Sequence, residues 1–228
     1  MNNNQPIGVF DSGIGGTSIW RAIHQLLPNE QTIYLADSKN APYGQKSKQE
    51  IIALSMKNTE LLLEMGCKLI VVACNTATTN AIRELRAKYD IPFIGIEPAI
   101  KPAATHSKTQ TIGILATQGT LNSELFESGN IDSAEMKQLL TEYLTPMIEA
   151  NIDYLVLGCS HYPYLIPQIK KILPPHIQII DSGEAVAKQT QNVLKEKVGL
   201  SNLTESHPVF YTNTDSKVLS DILGNKFE

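Results

Sequence analysis

Short apolar runs alternate with amphipathic stretches along the first hundred residues, and the two periods predict different elements. The runs are typical of buried strands, whereas the longer stretches repeat their apolar residues at helical spacing. Ser47 and Glu50 form a capping-box pattern at the start of one helix, and Gly66 marks its end. The predicted strands are 6–10, 31–37, 68–74 and 92–96, and the predicted helices are 17–28, 47–66 and 76–89. Strands that alternate with helices predict an α/β protein with mainly parallel sheets.

The second half of the chain repeats the first in outline. "IGVFDSGIGGTS" (7–18) aligns with "IGILATQGTLNS" (112–123), and "KLIVVACNT" aligns with "DYLVLGCSH". Each half therefore has a glycine turn and, further along, a cysteine where a strand ends. This duplication predicts two pseudo-symmetric lobes with the active site in the cleft between them. We predict a first lobe at 1–98, a second at 99–182 and a C-terminal segment, 183–228, that returns to the first lobe.

The second lobe is shorter than the first. After Phe126 the chain goes directly to a loop and a helix at 133–150, so the strand expected from the first half is missing. The remaining pattern predicts a strand at 177–181, a helix at 182–200, an edge strand at 208–213 and a terminal helix at 216–224.

Composition and charge exclude several classes of function. The 228 residues are 42% apolar and 18% charged with a net charge of -4, which argues against nucleic-acid binding because that needs a basic face. "MNNNQPIGVF" lacks the features of a secretory signal, and no apolar run has membrane-spanning length. Cys67, Cys74 and Cys159 are too few for a disulfide framework, so we expect free thiols in a reducing cytoplasm.

Polar and reactive side chains cluster where the predicted strands end. Ligands bind at the carboxyl ends of strands in open α/β sheets. The residues at these positions are Asp11, Ser12, Cys74, Asn75, Thr76, Thr117, Cys159, Ser160 and His161. Across two facing lobes, Cys74 and Cys159 would approach a ligand from opposite sides.

Several interpretations of the two strand-end cysteines remain open. A single cysteine is more often a small buried hydrophobe. A redox disulfide is possible, although no Cys-x-x-Cys is present. A zinc site of Cys74, Cys159 and His161 has too few ligands, so we predict no metal. Cys67, at a helix–strand junction, is expected to be structural.

Two loops add candidate ligand contacts. "DSGIGG" (11–16) is a glycine-rich turn between a strand and a helix, and such turns offer backbone N–H groups to anions. Tyr43 and Gly44 lie in a loop that could close over a ligand. His161, two residues after Cys159, is placed to tune that thiol.

Seven segments combine these features in one order: "GVFDSGIGG", "APYG", "VVACNTAT", "IEPAIKPA", "GILATQGT", "LVLGCSHYP" and "DSGEAVA". Together they resemble the glutamate racemases, in the cofactor-independent aspartate/glutamate racemase superfamily. The resemblance implies interconversion of L- and D-glutamate at the α-carbon with no cofactor, two cysteines acting as base and acid on opposite faces. It also implies a cytoplasmic enzyme, often a homodimer, that supplies D-glutamate for peptidoglycan.

The resemblance assigns roles to individual residues. Cys74, assisted by Asp11, would act on D-glutamate, and Cys159, assisted by His161, on L-glutamate. Glu127 would be what remains of an acidic position that helps the second-lobe chemistry, in a region where the family has a longer segment. Ser160 stands where the family usually has threonine. The substrate-binding set would be Asp11, Ser12, Tyr43, Gly44, Asn75, Thr76, Thr117, Thr120, Ser160 and His161.

Two other functions stay open at this point. One is a racemase for another acidic amino acid such as aspartate, because selectivity depends on few pocket contacts. The other is a catalytically impaired binding protein, because the shortened second lobe would misplace Cys159.

Overall fold

The computed structural model describes residues 3–116 and 132–223. Within these ranges the strands form one sheet of five and another of three, and all neighbouring strands are parallel. The strands are β1 (Ile7–Asp11), β2 (Thr32–Ala36), β3 (Leu69–Val72), β4 (Phe93–Gly95), β5 (Ile112–Leu115), β6 (Tyr154–Leu157), β7 (Gln178–Ile180) and β8 (Val209–Thr212). The predicted α/β class with parallel sheets is confirmed.

Helices separate most of these strands. They are α1 (Thr17–Leu26), α2 (Lys48–Glu64), α3 (Asn75–Lys88), α4 (Ile100–His106), α5 (Ala134–Glu149), α6 (Ile166–Ile172), α7 (Gly183–Val193) and α8 (Lys217–Leu223). Short 3-10 turns at Ser38–Asn40, Tyr43–Gln45 and Tyr162–Leu165 lie at the carboxyl ends of strands. None of the helices in the described ranges is long and apolar enough to cross a membrane.

The strand orders reflect the internal duplication. The larger sheet has the order β4-β3-β1-β2-β8, and the smaller has the order β5-β6-β7. Placing β5 on β1, β6 on β3 and β7 on β4 superimposes the two orders. In the described ranges β2 has no counterpart in the smaller sheet, as the short second half of the sequence predicts.

Both faces of each sheet carry apolar cores. In the larger sheet Val9 and Val71 pack on one face with α1 and α7, and Phe10 and Val72 pack on the other with α2 and α3. This alternation follows the period of a strand, in which successive side chains point to opposite faces. In the smaller sheet α5 and α6 cover one face, and α4 covers the other through Ala103.

Helix ends follow the capping chemistry of the sequence with two exceptions. Ser47 and Glu50 form the predicted capping box, and Gly66 follows α2 with φ +80°. α3 begins at Asn75, earlier than predicted, because the Cys74 sulfur accepts a hydrogen bond from the backbone N–H of Ala77. α7 is shorter than predicted, because the chain passes into a π-helical turn at Leu194–Val198.

The C-terminal segment packs on the larger sheet. β8 pairs with β2 at its edge, and α7 packs against α1.

A buried ion pair, Lys68 Nζ to Glu30 Oε2 at 2.7 Å, lies at the amino ends of β3 and β2, away from the strand ends that carry Cys74 and Asp11. Lys68 also donates to the carbonyls of Asn3 and Gly199, and Glu30 Oε1 accepts from the Ser201 N–H at 2.7 Å. Such pairing satisfies charges that would be costly to bury alone.

Candidate active site

Cys74 and Asp11 lie at the carboxyl ends of neighbouring strands and are linked through Ser12. The Cys74 thiol, 4% exposed, donates to Ser12 Oγ at 3.4 Å, and Ser12 Oγ donates to Asp11 Oδ1 at 3.5 Å. This places the carboxylate one hydroxyl away from the sulfur. We call these residues, with Asn75, the Cys74 side of the site.

The glycine turn after β1 folds around the Asp11 carboxylate. Asp11 is fully buried, and its Oδ2 accepts from the Gly16 N–H at 2.8 Å, at the start of α1. A Cβ at position 16 would lie 2.7 Å from Asp11 Cβ and 2.9 Å from Ala73 Cβ, so only glycine fits. The turn predicted as an anion nest therefore directs at least this N–H to the protein's own carboxylate.

The Cys74 thiol is held in its neutral form in the ligand-free protein. Burial, followed by the nearby Asp11 charge, raises the pKa of Cys74 to about 12. Hydrogen bonds that Ser12 and the Ala77 N–H can donate to the sulfur act in the opposite direction, because they stabilise the thiolate. The charge that Cys74 would carry as a base is therefore disfavoured in this arrangement.

Asn75 holds an unsatisfied amide beside this thiol. Both polar atoms of its side chain, Nδ2 and Oδ1, are buried without a hydrogen-bond partner among the described residues. An unpartnered buried polar group costs about 1–3 kcal/mol. A donor and an acceptor in this state suit a ligand with both a carboxylate and an ammonium group. Thr76 follows in the first turn of α3, half-buried.

The loop that carries Tyr43 is held by hydrogen bonds from Tyr43 to two buried residues. Tyr43 is 1% exposed; its hydroxyl donates to Asp37 Oδ2 at 2.6 Å and accepts from Asn58 Nδ2 at 3.1 Å. Burial, and then the hydrogen bond to Asp37 and its charge, raise the pKa of Tyr43 far above its usual range. Gly44 is exposed, with no described atom within 4 Å of where a Cβ would lie. Its backbone is thus the more open part of this loop.

Cys159 and His161 form the second group, which we call the Cys159 side. Cys159 follows β6, is partly buried, and its sulfur lies 3.4 Å from His161 Nδ1. Ser160 is 3% exposed, and its carbonyl accepts from Ser18 Oγ at 2.9 Å. Each thiol therefore has a polar neighbour of its own, Ser12 with Asp11 in one case and His161 in the other.

The two sides are brought together by the turn after β1. A Cβ at Gly15 would lie 2.5 Å from the His161 ring, so the turn and the histidine are in close contact. Ser18 reaches Ser160, and Thr17 Oγ1 is hydrogen-bonded to the Tyr164 hydroxyl. The turn after β1 thus contacts the Cys74 side through Ser12, and together with the start of α1 it contacts the Cys159 side through the segment from Ser160 to Tyr164. Thr117, Thr120 and Glu127 lie outside the described residues.

The structure narrows the alternatives for the cysteines. Cys67, Cys74 and Cys159 are free thiols, so a disulfide is not formed. Cys67 is buried under Gly8 and the α2 side chain Leu62, in the structural position predicted for it.

Sequence reasoning missed several residues that support the site. Asp37 comes directly after β2, and Asp11 is the last residue of β1, so the rule of strand ends would have found Asp37. Asn58 sits on a buried helix face, where the pattern predicts only packing. Tyr164 contacts Thr17, and Asn213 contacts Asp37, across long stretches of sequence, and no local signal marks either contact.

Comparisons with known proteins show which family and which structures this chain resembles. Residues 7–131 match the Asp/Glu/Hydantoin racemase family. A curated glutamate racemase of Herpetosiphon aurantiacus is 43% identical, over 84% of this chain and 85% of the relative. The glutamate racemase isoform RacE1 of Bacillus anthracis superimposes with a TM-score of 0.87 at 30% identity, over 98% of this chain and 94% of that one. The Escherichia coli glutamate racemase, solved with L-glutamate and the activator UDP-MurNAc-ala, has a TM-score of 0.78 at 30% identity, over 97% and 95%.

Proposed function

Because this chain belongs to the glutamate racemase family, we propose that it interconverts L- and D-glutamate by proton transfer between two cysteines. The observation that carries this proposal is the pair of thiols, each hydrogen-bonded to its own polar group, with both of these groups in or against the turn after β1. Two-base racemisation requires one deprotonated and one protonated group facing opposite sides of a single carbon.

In the D-to-L direction the Cys74 thiolate takes the α-proton of D-glutamate. The electrons of the broken C–H bond remain on the α-carbon and its carboxylate, and the Cys159 thiol then gives its proton to the opposite face. Cys74 ends as a thiol and Cys159 as a thiolate, and the L-to-D reaction runs the same steps in reverse. No cofactor is required for this balance.

Each thiol has a neighbour that can hold its proton. Cys74 donates to Ser12, and Ser12 donates to Asp11, so the carboxylate is the natural acceptor of the Cys74 proton. His161 takes the same part for Cys159 through Nδ1. This supports the roles of Asp11 and His161 as assistants of the two thiols.

The substrate's polar groups need fixed partners because the α-proton is very weakly acidic. We assign the unpartnered amide of Asn75, Thr76, Ser12, Ser160 and the Gly44 backbone to that task, with Tyr43 shaping the loop. Oriented donors around a carboxylate stabilise the charge that develops there during proton abstraction. Thr117, Thr120 and Glu127 remain in the proposed site by their position in the family pattern.

The remaining features of this proposal concern the cell and the assembly. We infer a cytoplasmic enzyme that supplies D-glutamate for peptidoglycan and acts as a homodimer, with lobes at 1–98 and 99–182 and a returning segment at 183–228. Light scattering on the purified chain tests the dimer. A mass of about 25 kDa in solution, the mass of one chain, would contradict it.

The test of the reaction is incubation with D-glutamate and L-glutamate in D2O. Racemisation, followed by optical rotation and by deuterium at the α-carbon, is expected from both enantiomers. Cys74→Ser and Cys159→Ser are each expected to lose at least about a thousandfold in rate, because a hydroxyl is a far weaker base than a thiolate. Cys67→Ala is the matched control, a thiol removed outside the site.

Two results would overturn the proposal. A folded wild-type protein that exchanges neither enantiomer of glutamate would exclude this activity, and turnover of aspartate instead would transfer it to the other acidic substrate. Equal loss in Cys67→Ala would show that thiols matter through folding and not through the reaction.

A further inference from the structure

A buried carboxylate that the reaction does not use lies next to the Cys74 side. Asp37 is 4% exposed and follows β2, and its backbone N–H donates to the Asp11 carbonyl at 3.0 Å. β1 and β2 therefore deliver Asp11 and Asp37 to the same edge of the sheet. A carboxylate buried there has to be satisfied by hydrogen bonds.

Four neutral donors from the described part of the chain converge on Asp37. Oδ2 accepts from the Tyr43 hydroxyl at 2.6 Å and, weakly, from Asn58 Nδ2 at 3.5 Å. Oδ1 accepts from Asn40 Nδ2 at 2.8 Å and from Asn213 Nδ2. Asp37 thus joins the segment 38–45, which we call the Tyr43 loop, to α2 and to the C-terminal segment.

Asn213 makes two bonds to this region and fixes it from outside. Its Nδ2 donates to Asp37, and its Oδ1 accepts from the Lys39 N–H at 2.8 Å. A carboxylate only accepts and a backbone N–H only donates, so these partners fix which way the amide points. The two partners lie on either side of the first residue of the Tyr43 loop, and Asn213 spans them.

We propose that Asn213 is a positioning residue for racemisation, which holds the Tyr43 loop in place against the Cys74 side through Asp37. The inference rests on the proposed function for the reaction that it affects. Asn213 is not a member of the substrate-binding set, and it acts only through Asp37 and Lys39.

The position of Asn213 argues for this role over a purely structural one. The residue is exposed, in the turn after β8, and both of its side-chain bonds go to the region of the Tyr43 loop rather than to the sheet. Its removal takes away no buried apolar surface. It leaves the loop with fewer constraints, and the loop carries Tyr43, which reaches Asp37 directly, and Gly44.

The test compares Asn213→Ala and Asn213→Asp with Thr214→Ala. Asn213→Ala loses both bonds. Asn213→Asp has the same shape and still accepts from Lys39, but it places a second carboxylate against Asp37. Thr214 is exposed in the same turn, and within the described residues it hydrogen-bonds to Thr212, so its removal leaves the Tyr43 loop intact.

We expect kcat/KM to fall about tenfold in Asn213→Ala and further in Asn213→Asp, mostly through a higher KM, because the binding loop is misplaced before chemistry begins. The loss must be equal for both enantiomers, since their equilibrium constant is 1 by symmetry. Hydrogen exchange of the backbone in 38–45 is expected to become faster in both variants and to stay at the wild-type rate in Thr214→Ala.

The outcomes separate this inference from the proposed function. Variants of Asn213 with kcat/KM and loop exchange equal to those of Thr214→Ala would overturn it. A wild-type chain that does not racemise glutamate would contradict the proposed function. Hydrogen exchange in 38–45 would then be the measurement that decides whether Asn213 holds the loop. Asn213→Ser, too short to reach both partners, replaces the alanine variant if that variant does not fold.

Discussion

Asn75 is a single residue whose side chain lowers the stability of the fold and suits the binding of a ligand. Its two buried polar atoms have no partner among the described residues. Folding therefore removes water from both atoms without a replacing hydrogen bond from the described residues. Such a residue is easier to explain by what it binds than by what it stabilises.

Replacing Asn75 by alanine is expected to leave the free energy of unfolding unchanged or to raise it by about 1 kcal/mol, because an unsatisfied buried group is removed. KM for glutamate is expected to rise at least about tenfold, since a donor and an acceptor for the substrate are lost. Urea unfolding and steady-state racemisation measure the two effects.

Asn80→Ala is the matched control for this change. The Asn80 amide lies on the same helix and donates to the Thr76 carbonyl at 2.8 Å. Its loss should lower stability slightly and leave KM unchanged. A destabilised Asn75→Ala with a normal KM would contradict the role given to Asn75.

Sequence alone predicted the residues whose position is fixed locally. Cys74, Cys159, Asp11 and His161 could be found because strand ends are visible in the pattern of apolar runs. Asn213 could not, because its partner Asp37 lies 176 positions away, and no periodicity records a contact across that distance.

At the scale of elements, the first turn of α1 is the point where the two sheets' loops meet. Thr17 Oγ1 donates to the Ile14 carbonyl at 2.6 Å. A hydroxyl has one proton, so in the contact between Thr17 and Tyr164 the tyrosine is the donor. Arg21, one turn further, lies over the Tyr164 ring at 5.6 Å from its centre. The first turns of α1 thus hold the segment after Cys159 through several contacts.

Tyr164→Phe is expected to lower the free energy of unfolding by about 1 kcal/mol, since one hydrogen bond is lost and no buried donor is left unpaired. Chemical denaturation monitored by circular dichroism gives the value. Tyr211→Phe, on the exposed face of β8, is the control and should be neutral. Equal stability of Tyr164→Phe and wild type would show that this contact does not hold the elements together.

The elements themselves were largely predictable, and the errors have physical causes. The capping box of α2 was confirmed because Ser47 and Glu50 interact within one turn. α3 began early because a cysteine served as its N-cap, a part usually taken by serine, threonine, aspartate or asparagine. α7 was overestimated because helical periodicity does not distinguish an α-turn from a π-turn.

At the scale of the whole molecule, two buried thiols make stability sensitive to alkaline pH. Burial raises the pKa of Cys67 to about 12, and burial with the Asp11 charge does the same for Cys74, from an ordinary value of 9.0. Above pH 9 the unfolded chain loses these protons while the folded chain keeps them. The folded state then binds more protons, so stability is full below pH 9 and is lost as pH rises toward 12.

Each thiol is expected to contribute about 1.4 kcal/mol of lost stability per pH unit in that range. Urea unfolding at pH 9 and pH 10 measures the slope in the wild type and in Cys67→Ala, and the tyrosines, with an ordinary pKa of 10.0, contribute equally to both proteins. Cys67→Ala removes one of the two thiols and should reduce the slope by about that amount. An unchanged slope would show that Cys67 does not resist ionisation in the folded protein.

The two-sheet architecture was visible in the sequence because duplicated segments carry the same pattern, and the strand orders agree with it. The boundaries at 98 and 182 remain predictions. What the pattern did not contain is the close contact of Gly15 with His161, because it depends on how the two halves pack.

The place of β8 in the larger sheet has a consequence for how the protein is made. The ribosome releases β1, β2 and β3 early, and residues 32–36 must wait at an open sheet edge until residues 209–212 have been synthesised. Asn213 follows at once, and only then can Asp37 and the Tyr43 loop receive their last contact. The sheet that carries Cys74 is therefore begun before the smaller sheet and completed after it, so a nascent chain has its thiols long before it has a finished site.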